Sequence, residues 1–179
     1  MSRIAPLGAP YAPDIQQQFD RIMRGAPPLM LFRVMAGHVR AWEKFRDGSL
    51  LDRGPLSLRE REIVIDRTCA LSRCEYEWGV HIAFFAERAG LDDAMQRSLV
   101  LGSGEDLCWS SAERAIIRAC DELHATADLT DEAWDGLRAH LTEMAAVEIV
   151  MLAGFYRTVS YLTNSLRLPS ESFAKRFPL

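Results

Sequence analysis

The stretch LSLREREIVIDRTCALSRCEYEWGVHIAFFAERAGL, residues 56–91, decides the fold. Ser57 with Glu60, and Ser72 with Glu75, each have the spacing of a capping box, in which a hydroxyl and a carboxylate satisfy the free amides of a helix start. The pattern predicts one helix over 58–71 and a second over 73–89, with Gly90 in the left-handed position that ends it. On the second helix Cys74, Glu77, His81 and Arg88 fall at i, i+3, i+7 and i+14 and share a face. Trp78, Ile82, Phe85 and Ala89 form an adjacent apolar stripe, so one edge reads as polar and the other as packing.

The polar edge carries a thiol, a carboxylate and an imidazole. Cys74 falls in the first turn, where free amides and the helix dipole favour a thiolate, while Glu75 and Glu77 oppose it by like-charge repulsion. At 1.5 Å rise per residue, Cys74 and His81 stand roughly 10 Å apart along the axis, too far for a direct hydrogen bond. Glu77 lies one turn from each. As an i, i+4 pair with His81 it makes the carboxylate–imidazole arrangement that tunes a general acid or base. On the preceding helix Glu62, Asp66, Cys69 and Arg73 fall at i, i+4, i+7 and i+11, which also describes a solvated stripe.

Working outward, residues 1–13 hold three prolines and read as an arm, and residues 169–179 as a tail that docks Phe173 and Phe177 on its own or a neighbouring subunit. Asp14 caps a short helix ending before Gly25. Pro27 and Pro28 open a helix through LMLFRVMAGHVRAWEKF that places His38 among apolar neighbours as a structural histidine. Asp92, the Ser110–Glu113 box and Thr130 start three more helices, and Cys108 and Cys120 read as small core residues. The segment EMAAVEIVMLAGFYRTVSYLTNSL is a core or interface helix, since its uncharged run before Arg157 falls short of the ~20 residues a bilayer requires. The chain is therefore expected to be all-α, about six to eight helices in a single domain spanning 1–179, with the central hairpin carrying the site.

At 179 residues, 49% hydrophobic and 26% charged, the chain has ordinary globular composition. A net charge of -4 argues against a nucleic-acid surface, which needs a basic field. Four cysteines without CxxC or zinc-finger spacing read as free thiols in a reducing cytoplasm. Neither a signal peptide nor a membrane anchor is read in the N-terminus. A zinc site from Cys74, Glu77 and His81 is disfavoured, because seven residues of straight helix keep the three from converging.

The order Glu62, eleven residues, Cys74, two residues, Glu77, three residues, His81 resembles the carboxymuconolactone decarboxylase and AhpD-like alkyl hydroperoxidase superfamily, and CEYEW followed by His81 resembles one recurrent version of its motif. The hydroperoxidase branch carries a CxxC pair before its histidine; here Cys74 matches the first cysteine and Glu77 stands in place of the second. The decarboxylase branch resembles E-x-x-x-H at this point, which Glu77 and His81 reproduce, although its members generally lack the cysteine.

The resemblance implies Cys74, Glu77, His81 and Glu62 as catalytic residues, with Asp66 a substitute for Glu62. Tyr76 is the better candidate for a pocket hydroxyl that binds substrate. The first expectation is a cofactor-free, metal-free decarboxylase-like enzyme doing acid–base chemistry on a small carboxylated or carbonyl compound. The second is a thiol-dependent alkyl hydroperoxidase with peroxiredoxin-type activity through Cys74, resolved by Cys69, another subunit or an external thiol. The third is a non-catalytic oligomeric sensor or scaffold. A homo-oligomer (dimer, trimer or hexamer) is implied by the resemblance alone.

Overall fold

The computed structural model describes residues 2–178; Met1 and Leu179, the outermost residues of the expected arm and tail, lie outside the described residues. Among those residues there are nine helices and no strands, one more helix than the upper expectation. The order is α1 (Pro13–Met23), α2 (Met30–Ala36), α3 (Val39–Asp47), α4 (Leu58–Leu71), α5 (Glu75–Ala89), α6 (Asp93–Leu101), α7 (Ser111–Thr126), α8 (Asp131–Arg138) and α9 (Glu143–Ser165).

The extra helix comes from a break at Gly37 and His38, where one continuous helix was expected. Gly37 caps α2, and His38 turns to φ -128°, ψ 78° to become the N-cap of α3. His38 is consequently exposed and does not sit among apolar neighbours.

The central helix, α4, has the expected bounds, and its capping box is formed: the Ser57 hydroxyl accepts from the Glu60 amide and the Glu60 carboxylate accepts from the Ser57 amide. α5, α6, α7 and α9 all pack against α4. Every residue from Glu62 to Cys69 is consequently buried, including Glu62, Asp66 and Arg67. The buried Arg67 is satisfied by a fork onto Asp121, at 2.6 and 3.0 Å, and by the carbonyls of Leu99 and Gly102. Glu62, Asp66 and Cys69 of the stripe that also read as solvated are therefore interior, and Arg73 at its end is exposed.

The second capping box does not form. Arg73 takes the left-handed φ of 52° and ends α4, which leaves Ser72 at the C-cap and makes Cys74 the N-cap of α5. Two backbone bonds close this turn, from the Arg73 amide to Ala70 and from the Cys74 amide to Cys69. They are the paired bonds of a Schellman motif. Gly90 ends α5 at φ 67°, as the sequence implies.

Both chain ends lie on the helices. Leu7 exchanges backbone and side-chain bonds with Arg33 of α2. The tail crosses the outside of α5: the Lys175 amide donates to the Gly79 carbonyl at 3.0 Å, Arg176 pairs with Glu75, and the Phe177 ring lies 5.2 Å from that of Trp78.

α9 is the one described helix long and apolar enough to cross a membrane. It buries Ala145, Ala146, Ile149, Leu152, Ala153, Tyr156 and Val159 inside the bundle instead.

Candidate functional site

α4 and α5 are joined by a tight turn, so their facing sides meet along most of their length. Glu62 projects from the second turn of α4 and is fully buried; His81 projects from the middle of α5 and is 4% exposed. Their side chains meet, with His81 Nδ1 2.7 Å from Glu62 Oε2. The other oxygen of Glu62 takes Arg61, whose Nε and Nη2 both lie 3.3 Å away. On its far side, His81 Nε2 stands 3.1 Å from the Tyr156 hydroxyl and 3.5 Å from Glu77 Oε1.

Burial opposes a charge on His81, but the carboxylates of Glu62 and Glu77 outweigh it and push the imidazole up to about 10. The ring is thus an imidazolium at neutral pH, with Nδ1–H donating to Glu62 and Nε2–H facing Tyr156 and Glu77. Asp66, one turn beyond Glu62, goes the other way. Burial and then the Glu62 charge raise its carboxyl well above the usual range, and its Oδ1 has no hydrogen-bond partner.

Cys74 is fully buried at the mouth of the α4–α5 turn. Its sulfur lies 3.0 Å from the Thr163 hydroxyl of α9. A hydrogen bond from the Cys69 thiol lowers the Cys74 thiol most; burial raises it, and Thr163 and the Glu77 amide add to the lowering, with a net value of about 7. Cys69 carries the complementary cost: burial and its role as donor hold its own thiol well above the usual range. The Glu77 charge bears on both Cys74 and His81, and Glu77 Oε2 has no partner.

Four expected residues, Glu62, Cys74, Glu77 and His81, therefore belong to one buried cluster, together with Cys69 and Asp66. Cys74, Glu77 and His81 on the polar edge of α5 face inward, where α4 and α9 supply partners, while Arg88 at its far end is exposed. Tyr76 is buried too, but its hydroxyl is taken up elsewhere: it donates to Glu171 of the tail at 2.6 Å and accepts from the Leu31 amide at 3.1 Å. Three members escaped the sequence reading. Tyr156 and Thr163 stand seven residues apart on one face of α9, far from the motif in sequence, and no local pattern marks them. Arg61 adjoins Glu62 and reads as an ordinary surface cation.

Among the described residues no three His, Cys, Asp or Glu side chains converge as a metal cage. Two surface cavities, of ≈ 330 and ≈ 480 Å³, open against α6, α7 and α8, and none of their lining residues belongs to the cluster. Apart from Arg61, the members of the cluster are all buried in this form.

Residues 36–122 match the carboxymuconolactone decarboxylase family. That span covers α4 and α5 whole, and with them the resemblance first read from the motif is shown. No curated protein matches the chain.

Solved structures agree in fold. An uncharacterized peroxidase-related protein from Silicibacter sp. TM1040 is similar at a TM-score of 0.80 with 16% identity, covering 99% of this chain and 100% of its own. An AhpD-core peroxidase-related protein from Ralstonia eutropha JMP134 gives 0.80 with 18% identity, over 96% and 93% of the two chains. A cysteine-to-alanine variant of the debrominase Bmp8, in complex with 2,3,4-tribromopyrrole, gives 0.75 with 15% identity, over 97% and 94%. The all-helical AhpD-like fold extends over the whole chain, well beyond the family match.

Proposed function

We propose that this chain is a thiol-dependent peroxidase acting on small hydroperoxides, with Cys74 as the nucleophile and the Glu62–His81–Glu77 relay as its proton supply. The observation that carries this reading is the position of Cys74: a buried sulfur 3.0 Å from the Thr163 hydroxyl, at the start of the helix that carries Glu77 and His81. The thiolate attacks the distal peroxide oxygen, the O–O bond breaks, and the leaving alkoxide takes a proton that His81 gives up through Glu77. Cys74 is left as a sulfenic acid and the peroxide as an alcohol. Glu62 holds the imidazolium against Arg61 throughout. Because Cys74 is closed off at rest, peroxide reaches it through a local opening, and opening frequency enters the rate with the thiolate fraction.

A decarboxylase-like reading has one observation of its own, the Glu77–His81 pair at 3.5 Å, which suits proton delivery to carbon. A carboxylated substrate needs a cation in a buried site, and both cations of the cluster, Arg61 and His81, are already committed to Glu62. That weighs toward a neutral substrate.

The test is a paired assay on purified protein with Cys74→Ser and His81→Ala: peroxide consumption with a supplied dithiol, and turnover of ring-cleavage lactones. 2,3,4-Tribromopyrrole joins the panel because a debrominase shares the fold. Peroxide turnover lost in Cys74→Ser supports the thiol route. Lactone turnover that survives Cys74→Ser and vanishes in His81→Ala replaces it with the proton route. Silence with all three leaves a scaffold or sensor. A reducing compartment such as the cytoplasm, which keeps all four thiols free, is part of the same proposal.

A further inference from the structure

We infer that Cys69 and Cys74 form a dithiol–disulfide couple built by the α4–α5 turn itself, with Cys69 as the thiol that resolves oxidised Cys74. The inference starts from the backbone. In a Schellman motif the residue two beyond the helix cap returns to the residue three before the end, and their side chains come into contact. Here those two residues are Cys74 and Cys69.

The Cys74 amide donates to the Cys69 carbonyl at 2.8 Å, while Arg73 between them holds its left-handed φ of 52°. Covalent geometry on either side of that bond limits the two Cα atoms to about 6.7 Å. This falls inside the range of about 4.4–6.8 Å that disulfides span. Both residues are fully buried. The apolar contact that usually locks such a turn is here a pair of thiols. A five-residue offset across a helix break thus does what a CxxC pair does within one helix.

The chemistry closes without a third cysteine. Once Cys74 is a sulfenic acid, the Cys69 sulfur attacks the Cys74 sulfur; the S–O bond breaks, the S–S bond forms, and the oxygen leaves as water with the Cys69 proton. An external dithiol returns two electrons and restores both thiols. The resolving role rests on the peroxidase reading. The couple itself does not, since a disulfide-forming oxidant such as diamide can make the same bond without peroxide.

The sequence supplies a convenient readout. Trypsin cleaves after Arg67, Arg73 and Arg88, placing the cysteines on separate peptides, 68–73 and 74–88, joined only if the disulfide exists. Full-length protein is oxidised with diamide, and separately with hydrogen peroxide, then alkylated in denaturant and analysed by mass spectrometry.

The expected result is the cross-linked peptide pair under both oxidants, reversed by dithiothreitol. The Cys69→Ser variant should instead accumulate a Cys74 sulfenic acid that dimedone traps, with steady-state peroxide turnover at least tenfold lower. The pair under diamide with no peroxide turnover supports the couple and overturns the peroxidase reading. Cys69 recovered fully alkylated under both oxidants overturns the couple. Unchanged steady-state turnover in Cys69→Ser overturns its resolving role.

Discussion

His81 is the residue whose surroundings explain most of the cluster. Its folded value of about 10 lies above the ordinary 6.5, so its charge stabilises the fold fully below about 6.5, and that contribution is lost as pH rises through about 10. We expect thermal stability to fall across that window. Glu62→Gln should flatten the fall, lower the His81 titration seen by NMR, and cost about 3 kcal/mol because a buried ion pair loses one member. An unchanged His81 titration in that variant would remove Glu62 as the partner.

Cys74 titrates on the acid side of this window, at about 7. Peroxide turnover should therefore rise from pH 5 to a plateau above pH 8, where His81 is still protonated. A flat profile over that range would show that the thiolate is not the reacting species. The sequence made these residue types legible, but not their burial. A Glu, an Asp and a Cys at helical spacing look alike on a wet face and a dry one, and only the packing of four helices around α4 decides between them.

Among the elements, the α4–α5 turn and the tail have separable consequences. Arg73 holds φ 52° without being glycine, at a cost that glycine would not incur. Arg73→Gly should stabilise by about 1 kcal/mol, a rise of roughly 2–4 °C in Tm for a chain of this length. A lower Tm would mean that Arg73 makes contributions beyond its backbone.

Gly79 predicts the opposite sign to its helix propensity. Ala should gain about 1 kcal/mol in a helix interior, but a Cβ on Gly79 would sit 2.1 Å from the Lys175 carbonyl. Gly79→Ala should thus destabilise by about 1–3 kcal/mol and expose the tail to limited proteolysis. A more stable variant with a protected tail would contradict the observed docking. Helix starts were readable at the side-chain caps Ser57, Asp92, Ser110 and Thr130, whereas the Thr142 cap of α9 was not read. The Ser72 box failed because the turn before it is set by backbone bonds from Arg73 and Cys74, which no side-chain pattern announces.

At the scale of the whole molecule, the long helix α9 has two characters. Its inner face brings Tyr156 and Thr163 to the relay, and these were invisible in the sequence because their partners lie about 75 and 89 positions away. Its outer face leaves Met144, Val147 and Met151 exposed, with open space above Gly154 beside them. We propose that this uncharged stripe meets its own copy in a second subunit, since Gly154 lets two such helices approach closely about a two-fold axis. Sedimentation equilibrium should give a multimer that Met151→Glu reduces to single chains. A monomeric wild type would end the idea.

The path of the tail also bears on how the protein is born. Residues 171–177, which cover α5 at Gly79, Trp78 and Glu75, are synthesised well after α5, and α9 comes only shortly before them. On the ribosome, α4 and α5 must therefore wait with Trp78 uncovered and Cys74 without Thr163. The nascent chain passes through a stage in which the Cys74 sulfur is least protected, and a stall between α5 and α9 would prolong it.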